Sequence, residues 1–286
     1  MKNVVFAAAM LFFVASVFGQ DEGFHLDKEY HISSKGKIDL RSSDARVFIT
    51  GSNRSTARVK IDRKITSKGW SLDEDRFSVE VEEVDGNLTI LERQSGSHVS
   101  VLGYYREEYR IELEVPRGVS LSVIGDDGDY YIKDVDGSVA LNLDDADAEL
   151  AGCTGSSFDF RLDDGDIRMD SGRGNLTIKG DDADVEIHHA NFSSIDVRID
   201  DGDLIIETEL TDEGQYYVES QDGTISLNIT GGGGEFEIHH DDARIITEGN
   251  FTIVHKGERE MRVALPNGSA RFSIKADDAS VKLAAR

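Results

Sequence analysis

The amino-acid sequence predicts an all-β protein, specifically a β-solenoid or stacked β-strand repeat with segments of 18–19 residues. Three observations support this prediction. An acidic tetrad recurs at nearly constant spacing, apolar and polar residues alternate on both sides of each tetrad, and the chain after its N-terminal leader lacks helical periodicity. An antiparallel β-meander, in which each segment is a hairpin, is the main alternative fold.

The tetrads define the repeat, and the starts of successive complete copies lie 18, 19, 18 and 19 residues apart. The complete copies are DDGD at 126–129, DDAD at 144–147, DDGD at 163–166, DDAD at 181–184 and DDGD at 200–203. Degenerate copies are SDAR at 43–46, QDGT at 221–224, DDAR at 241–244 and DDAS at 277–280. Recurrence of this kind predicts stacked segments that share one continuous core.

The apolar residues around each tetrad predict a corner in the chain. Counted from the first aspartate, positions −5, −3 and −1 are mostly apolar or glycine, and positions +4 and +6 are apolar again. Strict alternation cannot connect −1 with +4, so the inward-facing parity resets and the chain turns there. Only Gly or Ala occupies position +2 of the complete copies, as expected for a side chain that points into a crowded corner.

The N-terminus predicts a signal peptide at residues 1–19. Lys2 precedes an apolar run from Val4 to Phe18, and cleavage is expected after Gly19. This run is shorter than the roughly 20 residues that a membrane-spanning helix needs. Residues 20–286 are predicted to form a single β-repeat domain, with a less regular part at 20–120 and acidic repeats at 121–286. The mature chain is therefore expected to be extracytoplasmic, either periplasmic or secreted, without direct membrane insertion.

The charge of the chain is strongly negative and unevenly distributed. The net charge is −25, and residues 121–210 alone hold 24 acidic and 6 basic residues. Such a chain lacks the basic patch that neutralises phosphates, so nucleic-acid binding is excluded. Cations and basic partners are the ligands that its electrostatic field attracts. The single cysteine, Cys153, excludes an intrachain disulfide and is predicted to be a small buried or turn residue.

At this point the sequence resembles a known family. IELEVPRGVSLSV at 111–123, followed by GDDGDYYIKDVDGSVALNL, is similar to the bacterial putative-adhesin family of domains of unknown function, also described as β-strand-repeat proteins. The resemblance covers roughly residues 35–286. It implies an extracytoplasmic all-β repeat fold in a bacterial envelope and brings no catalytic residues. The expected function is that of a non-enzymatic adhesin, or a binding or scaffold module, with an unknown envelope or surface ligand.

A calcium-dependent β-repeat module is the first alternative function. Equivalent aspartates of stacked coils lie about 4.8 Å apart, where two exposed carboxylates repel by roughly 0.9 kcal/mol in water before screening. Ca²⁺ binds six to eight oxygens and relieves such repulsion, but the tetrad lacks the spacing of an EF-hand loop. The alternative metal ligands are Asp126, Asp127, Asp129, Asp144, Asp145, Asp147, Asp163, Asp164, Asp166, Asp181, Asp182, Asp184, Asp200, Asp201 and Asp203. The competing interpretation is structural, because aspartate caps backbone N–H groups at corners.

A carbohydrate-active β-helix enzyme is the second alternative. A general acid or base needs a singular environment, whereas every tetrad aspartate has near-identical copies, so the sequence predicts no enzyme, no catalytic residue and no cofactor other than a possible Ca²⁺. Two EIHH doublets, His188–His189 and His239–His240, are of the type that binds metals. Adjacent strand residues point to opposite faces, so neither doublet is expected to chelate a metal in simple geometry.

Overall fold

The structure is a computed structural model that describes residues 23–70, 76–95 and 102–286. The predicted signal peptide lies outside the described residues. Every regular element within these ranges is a β-strand, and no described helix is long and apolar enough to cross a membrane.

The strands are numbered in chain order. They are β1 (Gly23–Tyr30), β2 (Lys37–Ser42), β3 (Arg46–Ser52), β4 (Ala57–Trp70), β5 (Arg76–Val84), β6 (Asn87–Ser95), β7 (Leu102–Pro116), β8 (Ser120–Lys133), β9 (Val139–Ala151), β10 (Ser157–Asp164), β11 (Ile167–Asp182), β12 (Val185–Asp201), β13 (Asp203–Glu209), β14 (Gln215–Ser220), β15 (Thr224–Gly231), β16 (Gly234–His240), β17 (Ile245–Glu248), β18 (Thr252–Lys256), β19 (Glu260–Leu265), β20 (Ala270–Ala276) and β21 (Ser280–Ala285).

The strands form two faces that meet at the acidic corners. The first sheet has the strand order β5-β6-β2-β8-β9-β10-β11-β12-β14-β20-β16-β19-β18. The second sheet has the order β1-β4-β7-β3-β8-β9-β11-β12-β13-β15-β21-β17. Four long strands appear in both orders: β8, β9, β11 and β12. The first half of each belongs to the first sheet or the second, and the other half belongs to the other sheet.

Parallel pairing between successive segments distinguishes the two predicted folds. Phe158 of β10 pairs in parallel with Val139 of β9 and with Leu176 of β11, so equivalent positions of three segments stack. A meander of hairpins would pair them antiparallel. The β-solenoid prediction is therefore confirmed. Antiparallel strands occur only at the two ends of the described stack, in β1–β4–β7, β5–β6 and β16–β19–β18.

All nine tetrad copies lie at the same corner of the stack, but their spatial order differs from their chain order. Strands β20 and β21 pair with β14 and β15 on one side and with β16 and β17 on the other. The coil at 270–285 therefore lies between the coils at 215–231 and 234–248. Its corner, 277–280, separates the corner at 221–224 from the corner at 241–244.

The core has the parity that the sequence predicts. Leu143, Ala146 and Ala148, at positions −1, +2 and +4 of one tetrad, are at most 3% exposed. At the next corner Gly165 has a φ of 132°, and a Cβ atom there would lie 2.4 Å from the carbonyl oxygen of Ala146. Position +2 therefore points inward, and the glycine copies have a backbone conformation that L-residues with a side chain rarely adopt.

Aromatic and aliphatic side chains fill the space between the sheets in one continuous cluster. Near the C-terminal end, the rings of Tyr216, Phe272 and Phe236 stack with centroid separations of 5.2 and 5.3 Å. Cys153 is buried in a turn, and burial raises the pKa of its thiol. The prediction of a small buried or turn residue is confirmed.

Candidate functional site

The corner carries an unbroken line of carboxylates. The second residue of all nine tetrad copies is aspartate, and backbone pairing places Asp127 beside Asp145, Asp145 beside Asp164, and Asp164 beside Asp182. We call this line the corner ladder. In spatial order its members are Asp44, Asp127, Asp145, Asp164, Asp182, Asp201, Asp222, Asp278 and Asp242.

Burial and electrostatic repulsion raise the pKa values of three members of the corner ladder, Asp44, Asp164 and Asp201. Desolvation at the crowded corner, followed by the carboxylates of Asp182 and Asp145, raises the pKa of Asp164. Desolvation, followed by Asp222 and Asp182, raises the pKa of Asp201 in the same way. No Lys, Arg or His among the described residues forms an ion pair with a member of the corner ladder. The negative charge of the ladder is therefore uncompensated by the protein.

The fourth aspartates of the tetrads have a different, structural role. The Asp147 carboxylate accepts a hydrogen bond of 2.9 Å from the backbone N–H of Asp166 in the next coil. The Asp184 carboxylate accepts one of 2.8 Å from the backbone N–H of Asp203. Each acceptor belongs to an alanine tetrad and each donor to the following glycine tetrad. These aspartates cap the N–H groups that the turn frees, as the structural interpretation of the tetrad predicts.

The tetrad aspartates lie in rows along the stack and do not surround a common point, as the ligands of a metal ion would. Among the described residues, no group of three or more His, Cys, Asp or Glu side chains has an arrangement that could hold a metal ion. The backbone register places equivalent aspartates one coil apart, in a line along the stack. Calcium binding by the fifteen aspartates of the complete tetrads stays a prediction that only titration with the ion can test.

The His188–His189 doublet corrects one expectation from the sequence. Both rings lie on the outer surface, with ring centroids 6.3 Å apart, because His189 has a φ of 52° and the β12–β13 register is interrupted there. His188 Nε2 lies 2.8 Å from Glu186, and His189 Nδ1 lies 2.8 Å from Asp170. The hydrogen bond to Asp170 raises the pKa of His189. The expected opposite orientation of the two side chains is wrong because the bulge adds one outward residue.

A second feature, which the repeat analysis missed, lies at the N-terminal end of the second sheet. Arg63 is only 6% exposed, forms an ion pair with Glu107, and places its guanidinium 4.1 Å from the ring centroid of Phe77. Burial, followed by the charge of Glu92, raises the pKa of Tyr109 beside it. The sequence alternation could have predicted that Arg63 is buried. Arg63 follows the inward-facing residues Val59 and Ile61 of β4 at the same two-residue spacing.

A groove of about 870 Å³ opens over this pair, with a balanced set of charges. Five Lys or Arg residues and five Asp or Glu residues contribute to its walls, in contrast with the acidic corner. The Glu107 carboxylate is held by Arg63 and is not an isolated acid or base.

Two carboxyl groups of the groove have pKa values shifted in opposite directions. Burial, followed by the charge of Asp127, raises the pKa of Asp44. For Asp62 the opposing effect of burial is outweighed by hydrogen bonds from His25 and Lys60, which lower its pKa. The groove therefore supplies a polar surface with both acidic and basic side chains.

With this geometry described, comparisons place the chain among known proteins. A family model described as Toastrack DUF4097 matches residues 36–238, which is more than half of the chain. The chain belongs to the Toastrack family. This confirms the resemblance to the putative-adhesin domains of unknown function. No curated protein matches the chain.

Three solved structures of bacterial proteins are similar to this Toastrack chain, each with 11% sequence identity. A putative adhesin from Parabacteroides distasonis has a TM-score of 0.50, with 91% of this chain and 98% of that chain covered. A putative adhesin from Bacteroides fragilis has a TM-score of 0.41, with coverage of 91% and 96%. A putative cell adhesion protein from Clostridium sporogenes has a TM-score of 0.26, with coverage of 92% and 100%. At this identity the likeness concerns the fold alone.

Proposed function

We propose that this Toastrack chain is a non-enzymatic, adhesin-like binding module that acts outside the cytoplasm and presents its corner ladder to a cationic partner at the cell envelope. The observation that carries the proposal is the unbroken line of nine carboxylates without protein counter-charges. The adhesin names of the structural neighbours agree with this role.

The rigidity of the stack makes the corner ladder suitable for multivalent binding. Neighbouring strands lie about 4.8 Å apart, so eight steps give a line of carboxylates roughly 40 Å long. Each carboxylate is fixed by a coil whose own hydrogen bonds and core are complete, so binding orders little of the protein. A cationic polymer or surface can then make many weak contacts at once, and their sum gives avidity.

Repetition also argues against catalysis. The environments of Asp145, Asp164 and Asp182 are near-copies of one another, with the same neighbours in sequence and a carboxylate on each side. Acid–base catalysis needs two groups whose pKa values are pushed apart by different surroundings. In the corner ladder, burial and the neighbouring carboxylates shift the pKa values of Asp44, Asp164 and Asp201 in the same direction, upward, so these three do not form such a pair.

Binding to a defined polycation and to an envelope fraction tests the proposal. The wild-type protein is compared with a triple variant, Asp145→Asn, Asp164→Asn and Asp182→Asn, on immobilised poly-lysine and on isolated cell envelopes. The control removes the same charge from exposed acids off the corner ladder through Glu149→Gln, Glu235→Gln and Glu258→Gln. We expect the ladder variant to lose at least about tenfold in affinity and the control less than about threefold, with a strong salt dependence for the wild type. Equal losses in both variants, or binding that salt does not weaken, would overturn the proposal.

A further inference from the structure

We propose that copies of this chain associate head to tail, with β5 of one copy pairing with β18 of the next. These are the two terminal strands of the first sheet, and they lie at opposite ends of the stack. The association uses neither the corner ladder nor its partner, so it is independent of the proposed binding function.

Exposed apolar side chains mark the two strands. Four large hydrophobic residues are exposed in the described part of the chain, and three of them lie on β5 or β18. Val84 ends β5 and is 44% exposed, whereas Ile253 and Val254 lie side by side on β18 and are 54% and 64% exposed. The fourth, Ile124, lies on β8 in the middle of the stack. End coils of repeat proteins normally present polar surfaces, so apolar residues at both ends indicate that something covers them.

The backbone of both strands has a free edge of the correct polarity. Within the described residues, β5 pairs only with β6, and β18 pairs only with β19. β5 runs against the coil strands of the first sheet, because it is antiparallel to β6, which is parallel to β2. β18 runs with the coil strands, because two antiparallel steps separate it from β16. A coaxial contact between β18 and β5 of another copy is therefore antiparallel, the stronger type of pairing.

Charge complementarity favours pairing of β18 with β5 of a second copy over pairing of two β18 strands or of two β5 strands. Glu82 and Glu83 on β5 are exposed and form no ion pair within the described ranges. β18 has the sequence TIVHK, contains no acidic residue and ends at Lys256, which also has no ion-pair partner among the described residues. The chain has a net charge of −25, so a basic strand edge is unusual in it. In the head-to-tail contact, Lys256 of β18 would lie close to the acidic residues Glu82 and Glu83 on β5 of a second copy.

The bulge in β18 explains the exposure of Val254 and limits the strength of the contact. The β18–β19 register shifts between Ile253 and His255, so Val254 has no partner on β19. β18 is also only five residues long. A short, bulged edge supplies few hydrogen bonds, so the apolar side chains must provide much of the affinity and the association is expected to depend on protein concentration.

Analytical ultracentrifugation of protein purified after expression of the whole chain tests the association. We expect the average mass of the wild type to rise from monomer to larger species as concentration increases from low to high micromolar. Val254→Asn, which removes the apolar side chain without changing the charge, is expected to weaken this association at least about tenfold, whereas the matched control Ile124→Asn leaves it unchanged. Circular dichroism verifies that each variant folds, and Ile253→Thr serves as a milder second variant of β18. A wild-type mass that stays monomeric at all concentrations, or equal effects of the Val254 and Ile124 changes, would refute the proposal.

A mixing experiment distinguishes head-to-tail pairing from pairing of two β18 strands. One chain carries Val254→Asn, which weakens pairing through β18, and the other carries Glu82→Lys with Glu83→Lys, which weakens pairing through β5. Head-to-tail pairing predicts that each variant alone is monomeric and that the mixture forms a complex of one copy each. Self-association of the chain with the intact β18, together with no complex in the mixture, would contradict this geometry and identify a symmetric contact instead.

Discussion

The N-terminal end of this Toastrack solenoid and its acidic coils balance charge in different ways. Residues 20–120 hold 19 acidic and 16 basic residues, whereas residues 121–210 hold 24 and 6. In the N-terminal part, ion pairs join neighbouring antiparallel strands: Arg58 of β4 lies 2.7 Å from Asp27 of β1, and Lys60 of β4 lies 3.7 Å from Glu112 of β7.

In the acidic coils some ion pairs lie within one strand, and others cross to the next coil, as Arg168 of β11 does 3.9 Å from Glu186 of β12. Arg161 lies 3.1 Å from Asp159, and Arg198 lies 3.0 Å from Asp196, each pair separated by two residues on the outer face. Neither kind of pair includes a member of the corner ladder among the described residues. The difference lies at the corner: the N-terminal part nearly balances its acidic residues with basic ones, whereas the acidic coils keep an excess of carboxylates in the corner ladder.

The largest expected effect tests the buried ion pair of the N-terminal part. Arg63→Met removes the charge that faces Glu107 in a site of low exposure and should destabilise the protein by about 3 kcal/mol, because a carboxylate is left without its counter-charge. The control Arg161→Met removes an exposed partner and should change stability by less than about 0.5 kcal/mol. Urea unfolding measures both, and similar losses would remove the contrast between the two regions.

The next effect concerns the alternation of glycine and alanine at the corner. Gly165→Ala places a Cβ atom 2.4 Å from the carbonyl oxygen of Ala146 at a φ of 132° and should destabilise the fold by about 2 kcal/mol. The reciprocal change, Ala183→Gly, removes a small buried side chain and should reduce stability by about 1 kcal/mol. If the two substitutions are equivalent in thermal unfolding, the backbone of the two corner types does not differ in solution.

A smaller effect of opposite sign is expected from the corner ladder. The double change Asp145→Asn and Asp182→Asn removes both carboxylates that flank Asp164, so the pKa of Asp164 should fall toward its ordinary value and the thermal midpoint should rise at neutral pH. A raised pKa in the folded state means that protonation favours folding, so repulsion weakens stability as pH rises through that pKa. The gain should therefore disappear on acidification to about pH 4 or below, near the unfolded pKa of aspartate. NMR titration of Asp164 and midpoints at several pH values check this, and a gain that persists in acid would exclude repulsion as its cause.

The smallest effect is expected from divalent ions. If the tetrads are solvated corners, thermal midpoints in excess EDTA, in Ca²⁺ and in Mg²⁺ at equal ionic strength should agree within about two degrees, since only general screening of the corner ladder changes. A rise of many degrees that Ca²⁺ alone produces would show an ion bound by the folded state and would make the tetrads a cation site.

Much of the solenoid could be predicted because its rules are local. The reset of parity at each tetrad follows from side-chain alternation, and Leu143 and Ala148 lie inward as that alternation requires. The corner copies were also recognisable in sequence, including degenerate ones such as QDGT at 221–224. Their stacking into one line needs only equal segment lengths, which the spacing of 18–19 residues provides.

Three features could not be predicted from the sequence repeat, because they depend on contacts outside its pattern. The bulge at His189 rests on a single residue with positive φ that is neither Gly nor Asn, and no local sequence rule indicates it. Arg63 and Glu107 meet across an antiparallel pair at the end of the stack, where the repeat is absent. The spatial order of the last coils also could not be predicted, because the corners at 241–244 and 277–280 are nearly identical in sequence.

The position of the coil at 270–285 has a consequence for synthesis of the chain. This coil is synthesised after the two coils between which it must enter, 215–231 and 234–248, and it hydrogen-bonds to both. Until then the nascent stack has two unpaired sheet edges and cannot close in the order of translation. Partial folding with exposed strand edges favours aggregation, so a chaperone that delays folding until residues 270–285 have been synthesised would protect this protein.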